Sequence, residues 1–483
     1  MTSSLTRDFT ATPTNAKKFT VSFWLRKCKF SSNQIMMCNY GNSGNDDFQI
    51  QLRNDETLGI LDYKGGSVVA NHETTRKFQD PVSWYHIVIA GDSTQSTAAD
   101  RLKLYINGVQ ETEWASLSSI SQNTDFNWNK ETSGTSIGHV IGKSGGGSNI
   151  FNGYLAHIHN VDGTAYAPTT FGETDSTTGE WKPILNPSVT YGNNGWFLKF
   201  ENAGALGTDS SGNSATFTVS GDLKQSISTP SNLFCTLDYY QSYQTNINDV
   251  FKNAATTWAD GNSSSADGYK GSVGTLATTK GKWYFEVKHV EGMYSTAGIS
   301  KASTKASAQT INTHYKSPFY AGDEGDGFGF QMGTQPTLIQ RGDSTEAQWY
   351  QSDGSTNITS FSNGDICMIA YDLDAGKIWW GKNGTWLDAP GTSNTGNPAT
   401  GANAHKTWTA NGEFFRPAVS VYQRTYGSSG ANPNTVHCNF GEGRFGTTAV
   451  SSGNADGAGM GSFEYAPPSG FYAVCTKNIK TYG

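Results

Sequence analysis

The sequence predicts an all-β protein built from two β-sandwich domains, and three observations carry that prediction. Apolar and polar residues alternate with a period of two through most apolar segments, the pattern of strands. Asn-Gly pairs separate such segments at hairpin spacing. The composition is rich in glycine and aromatics and poor in charge: 56 Gly, 12% aromatic and 16% charged residues in 483. Disorder needs the opposite mixture. Single sandwiches run to ~200–250 residues, so this length fits two, each able to bury a core without disulfides or metal.

In FTVSFWLRK, Phe19, Val21, Phe23 and Leu25 fall on one face and Thr20, Ser22, Trp24 and Arg26 on the other. This predicts a half-buried antiparallel strand. FQIQLRND, LGILDY, SWYHIVIAGD and RLKLYINGVQ continue the pattern at sandwich spacing. Asn107-Gly108 and Asn383-Gly384 predict type I′ hairpin turns. No stretch keeps a helical apolar period beyond two turns, so helices are minor. Trp84, Trp196, Trp283 and Trp380 lie in alternating strands and are expected to fill cores. The stretch around Ser226 to Ser231 reads as a linker. The expected division is 1–225, a linker 226–250, and 251–483, with Pro390 to Asn411 a long loop insertion in the second domain.

Acidic residues exceed basic ones, 41 against 34, and no Lys/Arg run provides a nucleic-acid footprint. No apolar stretch reaches bilayer length and the start lacks a signal-peptide core, so no membrane insertion is expected. Six cysteines without paired spacing (Cys28, Cys38, Cys235, Cys367, Cys438, Cys475) suit a reducing cytoplasm as the site of synthesis.

Candidate catalytic motifs fail on inspection. Glu173, Asp175 and Glu180 are separated by Ser, Thr and Gly beside Pro183, which predicts a turn rather than acids converging from alternate strand positions. Gly142-Lys143-Ser144 lacks the first glycine of a phosphate loop, Ile137 standing there, and no helix pattern follows. No nucleophile elbow is present. No catalytic residue and no cofactor are therefore expected. His157 and His159 would share a strand face, but two ligands make no metal site. Ca²⁺ is the one ion the loops could hold, through Asp209 and Asn213, or through Asp323, Glu324 and Asp326. Aromatics beside short polar residues are the stronger signal, because a flat ring covers a sugar's C–H face while amides and hydroxyls meet its hydroxyls. On that basis the candidate ligand-binding residues are Trp114, Trp128, Trp349, Tyr350, Trp408, Tyr422 and Tyr426. The corresponding expectation is that Trp114→Ala, Trp128→Ala and Trp408→Ala weaken binding and leave thermal stability nearly unchanged.

Family resemblance adds to this reading. GKWYFEVKHVEG (Gly281 to Gly292), GDICMIAYDLDAGKIWWGKNGTW (Gly364 to Trp386), FFRPAVSVY (Phe414 to Tyr422) and VHCNFG (Val436 to Gly441) resemble, in order and spacing, a SPRY (B30.2-like) sandwich. FTVSFWLRK, SWYHIVIAGD, RLKLYINGVQ and FNGYLAHIHNVDGTAYAP (Phe151 to Pro168) resemble a laminin-G-like jelly roll of the concanavalin A-like superfamily. YGNNGWFLKFEN (Tyr191 to Asn202) and DSSGNSATFTV (Asp209 to Val219) ordinarily open such a domain, yet here follow its other strands. That implies a circularly permuted order, with Trp196 to Phe200 inside the first sandwich.

These two segments, GETDSTTGEWKP (Gly172 to Pro183) and APPSGFYAVCTKNI (Ala466 to Ile479) are similar to phrases of tailed-phage virion proteins. The resemblance implies a non-enzymatic virion protein, a tail fibre or receptor-binding adhesin. It would contact a host-surface glycan or protein receptor together with other virion proteins, as a homo-oligomer (a trimer by fibre analogy). A capsid decoration or head-fibre protein, a glycan depolymerase, and a cytoplasmic interaction module are the alternatives.

Overall fold

A computed structural model of the chain describes residues 3–41, 46–132, 137–176, 179–238, 251–252, 257–259, 268–292, 294–303, 327–333, 337–342, 346–350, 360–388, 394–423 and 434–483. Its contacts divide into two units: 1–225 with 229–231, and 226–228 with 232–483. The expected linker is therefore drawn too long. Phe234, Cys235 and Leu237 are buried in the second unit, where the Cys235 N–H donates to the Val474 carbonyl at 2.9 Å and that of Asp238 to the Val273 carbonyl at 2.7 Å. Both units are β sandwiches; helix is confined, among the described residues, to Thr476–Tyr482 and three single 3₁₀ turns.

The first unit pairs an eight-stranded sheet with a six-stranded one. The large sheet runs, in spatial order, Trp114–Leu117, Ser67–Lys77, Thr57–Lys64, Asp47–Leu52, Gln34–Tyr40, Ile137–Ile141, Ser4–Arg7 and Thr218–Ser220. The small sheet runs Trp196–Leu198, Gly153–Asp162, Lys18–Lys27, Tyr85–Asp92, Leu102–Ile106 and Val109–Gln110. Alternation makes the core: Phe19, Val21, Phe23, Leu25, Ile87 and Ile89 meet Phe48, Ile50, Leu52, Leu58 and Ile60 across the gap. Trp196–Leu198 pairs with Gly153–Asp162 inside this sandwich, as the permuted order requires. Asn107 and Gly108 take positive φ (50° and 81°), the left-handed pair of a I′ turn, and Asn383 and Gly384 repeat it (46° and 88°).

Two expectations about exposure change. The outer face of Lys18–Lys27 is not solvated: Ser22, Trp24 and Arg26 are buried there. Residues 164–176 and 179–192 fold back over much of the small sheet, with the Thr20 hydroxyl donating to the Thr164 carbonyl (2.8 Å) and Phe171 against Val88 and Val161. Trp128 is fully buried between the sheets, in the core rather than on a loop surface. Its indole N–H donates to Asn160 Oδ1 of the small sheet (2.7 Å), while its carbonyl accepts from Asn39 and His139 of the large one (2.8 and 2.7 Å).

In the second unit, one sheet runs Phe251–Lys252, Thr257–Ala259, Thr435–Asn439, Lys282–Glu291, Ile366–Asp372, Lys377–Lys382 and Thr385–Trp386. The other runs Gly268–Val273, Phe415–Gln423, Tyr294–Lys301, Gly327–Gly333, Thr337–Gly342 and Glu346–Tyr350. Trp283, Phe285, Ile369, Trp380, Ile299, Phe330 and Val419 fill the space between. The long insertion is not a free loop over 394–411. Lys406–Thr407 pairs with Lys377–Lys382, and the Trp379 indole donates to the Ala402 carbonyl (2.8 Å).

Truncating a fully buried Trp removes a large apolar volume and, here, takes the indole donor from Asn160 Oδ1. Trp128→Ala is expected to cost about 3–5 kcal/mol of the first sandwich's stability. The check is the denaturant midpoint followed by a probe in that unit; a change under about 1 kcal/mol would contradict this placement.

Candidate functional site

The outward face of the large sheet carries a coherent row of polar side chains. It arises from a single strand. In Asp47–Leu52, Phe48, Ile50 and Leu52 point into the core, so Asp47, Gln49 and Gln51 must point out. Register then places Tyr63, Leu61 and Gly59 beside them on one neighbour, and Tyr40 and Cys38 beside Asp47 and Gln49 on the other. One strand further, Asn71 lies opposite Leu61 and Glu73 opposite Gly59. Gln49, Leu61, Tyr63, Asn71 and Glu73 are all half-exposed.

Electrostatics across this face are nearly balanced. Arg53 reaches Glu73 at 3.4 Å and Asn71 Oδ1 at 3.5 Å, and the Thr57 hydroxyl donates to Glu73 at 3.0 Å. Gly59 leaves the room this requires, since a Cβ there would stand 3.0 Å from Arg53 Nε and 3.3 Å from Gln51. Asp47 is buried, which pushes its carboxyl up to about 6 against the opposing hydrogen bond from Gln49. Gln51 is 9% exposed, and its amide is not among the buried side-chain groups left without a partner. The face's two carboxylates, Asp47 and Glu73, are offset by four residues in register, roughly 13 Å along the strand direction alone. That exceeds the ~5–9.5 Å separations of glycosidase acid pairs. The arrangement can hydrogen-bond hydroxyls and cover a sugar face; it holds no such pair.

The residues singled out from sequence are not brought together. Trp114 is half-buried, edge-on to His72 (5.3 Å between centroids) and against the first core. Trp128 is a core residue and is withdrawn as a ligand-binding candidate, because no ring face reaches solvent. Trp408 is half-buried and stacked on Phe328 at 4.7 Å in the second unit. The side chains of Trp349, Tyr350 and Tyr422, and all of Tyr426, lie outside the described residues. The expectation of unchanged stability therefore fails for Trp128. The polar face was missed although its signal was present: D-x-Q-x-Q-x-R, Asp47 to Arg53, is polar at every second position of an otherwise apolar strand.

The remaining motifs resolve into structural roles. Glu173 and Asp175 are bridged by Lys182 at 3.5 and 3.1 Å on a small hairpin. Ser144 closes a turn through Ser148, and Gly145 lies against Tyr40. The Asp209 carboxylate accepts from Phe197 N, Ser211 N, Ser211 Oγ and Ala215 N at 2.7–2.9 Å, so it staples its own loop. Asn213 donates to the Gly192 and Gly195 carbonyls. Asp323, Glu324 and Asp326 lie outside the described residues.

His157 and His159 do not form a regular pair, since a bulge between Ala156 and His159 breaks the alternation and leaves His157 at φ 45°. His159 stacks on Phe197 at 3.8 Å and meets the Tyr191 hydroxyl at 2.9 Å. Burial holds both imidazoles below their ordinary range. No cluster of three metal-ligating side chains exists among the described residues.

These geometries define a two-sandwich protein with a polar, amide-rich sheet face. Residues 5–165, which include that face, match the family described as the concanavalin A-like lectin/glucanases superfamily. No curated protein matches the chain. Among solved structures it is similar to the SPRY domain of human HERC1: 14% identity, TM-score 0.25, covering 42% of this chain and 96% of that one. It is also similar to a Bacteroides ovatus protein provisionally described as carbohydrate binding: 17% identity, TM-score 0.29, covering 45% of this chain and 56% of that one.

Two buried histidines have their tautomers set by indole donors. Trp196 Nε1 donates to His139 Nδ1 and Trp181 Nε1 to His86 Nδ1, each at 2.9 Å, so the ring proton sits on Nε2. Burial pushes both down to about 3. With folded values below the usual ~6.5, each contributes stability that is present above ~6.5 and lost as the pH falls toward 3. Both should remain neutral Nε2–H tautomers at pH 5, read by long-range ¹H–¹⁵N correlation; a protonated ring at that pH would contradict the assignment.

Proposed function

We propose that this chain is a non-catalytic glycan-binding protein whose first sandwich holds a neutral, hydroxyl-rich glycan on the outward face of the large sheet. The observation that carries this is the row Asp47, Gln49 and Gln51 flanked by Leu61, Tyr63 and Asn71, which sets amides beside apolar surface on one outward face. Leu61 and Tyr63 supply apolar surface for the C–H faces of the sugar. The concanavalin A-like match over residues 5–165 supports a binding role.

Within this reading the protein serves as an attachment component of a phage virion, a tail fibre or receptor-binding adhesin. The support is the resemblance of Gly172 to Pro183, Tyr191 to Asn202 and Ala466 to Ile479 to virion phrases. Individual contacts would be weak, and several copies on one particle would supply avidity.

Gln51→Ala and Gln49→Ala should each lower affinity for a glycan captured from an array by about 3–10-fold, a lost hydrogen bond or two, while the melting temperature stays within about 2 °C. Unchanged affinity in the double variant would overturn the site. Release of reducing ends from the bound glycan would overturn the non-catalytic reading. Particle micrographs labelled for the protein test the virion assignment and distinguish tail from head.

A further inference from the structure

The first sandwich contains a second feature, independent of the glycan face, where its two sheets meet. Lys27 ends the strand Lys18–Lys27 of the small sheet, and Glu56 sits in the turn between Asp47–Leu52 and Thr57–Lys64 of the large one. Lys27 Nζ lies directly against Glu56 Oε2, with side-chain exposures of 0% and 7%. Neither atom has a hydrogen-bond partner other than that contact. The Phe30 ring lies 4.9 Å from Nζ. The Ser31 N–H donates to the other carboxyl oxygen, Glu56 Oε1, at 2.5 Å. Ser31 and Glu56 both hold left-handed backbone, φ 53° and 76°, a cost non-glycine residues bear only where the surroundings enforce it.

As an ion pair this arrangement is poorly satisfied. An ammonium brings three N–H donors, and here a single oxygen faces them in a dry, aromatic-walled site. Burial lowers Lys27 to about 8, with the Asp55 charge opposing, so a neutral amine is within reach. The site also holds what acyl transfer requires: a desolvated amine, a carboxyl group fixed against it, and a backbone N–H on the oxygen that carries negative charge in the tetrahedral intermediate.

We propose that Lys27 and Glu56 are joined by an isopeptide bond, a covalent staple between the two sheets of the first sandwich. After proton transfer within the pair, the amine nitrogen attacks Glu56 Cδ. The new C–N bond forms and the C–Oε2 bond breaks. Oε2 leaves as water, carrying the carboxyl proton and one amine proton, and Oε1 remains as the amide oxygen on the Ser31 N–H. Two buried charges disappear and no oxidant or cofactor is consumed. The bond gives a sandwich in which Cys28 and Cys38 form no disulfide the tie that one would otherwise provide.

The full chain, purified and denatured, should have an intact mass about 18 Da below that of its sequence, the water lost in forming the amide. Trypsin cuts after Arg26, Lys29, Arg53 and Lys64 but not after an amidated Lys27. Fragment 27–29 should therefore appear joined to fragment 54–64, and Lys27→Met should abolish both the deficit and the branched peptide. An intact mass equal to the sequence overturns the proposal, as does a deficit that maps to other residues or persists in the variant. The wild-type measurements alone decide the matter if the variant does not fold.

Discussion

The first sandwich depends on a polar knot at Trp128, where both sheets grip one loop. Its ring stacks on His139 at 4.0 Å, its indole binds Asn160, and Asn39 holds the carbonyls of Asn127 and Trp128. Asn127 in turn binds Asp62, and Asn160 binds Asn129 and the Asn194 carbonyl. Apolar packing between sheets is tolerant of sliding, whereas these directional bonds accept one register. Because buried polar groups are costly when unmet, the network makes alternative pairings unfavourable. Asp62 shows the strain of the arrangement: burial pushes its carboxyl up to about 7, against the Asn127 bonds that pull it down.

That constraint reaches the candidate site through the backbone. Asn39 and Asp62 belong to the two strands that flank Asp47–Leu52, and fixing their inward side chains fixes which residues of all three strands face outward. The row of Asp47, Gln49 and Gln51 is thus the reverse side of the core register. A slip by one residue would bury the amides and expose Phe48 and Ile50. Residues 164–176 and 179–192 cover much of the outer face of the small sheet.

The second sandwich uses one buried acid for a comparable purpose. Glu286 accepts from the Tyr284 hydroxyl, Asn439 Nδ2 and the N–H groups of Glu464 and Tyr465 at 2.8–3.1 Å. These bonds hold the segment that brings Phe463 onto Tyr284, while Phe471 meets Trp379 on the same sheet face. Burial pushes Glu286 up to about 7. Its linkage therefore opposes that of the buried histidines: its contribution is present below ~4.3 and declines as the pH rises through 7.

Period-two alternation and the Asn-Gly pairs were enough to establish an all-β chain, its hairpins, and cores built on Trp196, Trp283 and Trp380, because those signals act between neighbours a few residues apart. The same local reading could not tell Trp128 from a surface aromatic. Its segment is polar, and its burial comes from Asn39, His139 and Asn160, partners between 11 and 89 residues away. Nor could it show that the outer face of Phe19 to Leu25 is covered while Gln49 of Asp47–Leu52 stays half-exposed, because the covering layer begins more than a hundred residues later. Which face of each strand is apolar was settled by the order of residues; which polar face remains open to a ligand was settled only when distant segments chose the sheet they would cover.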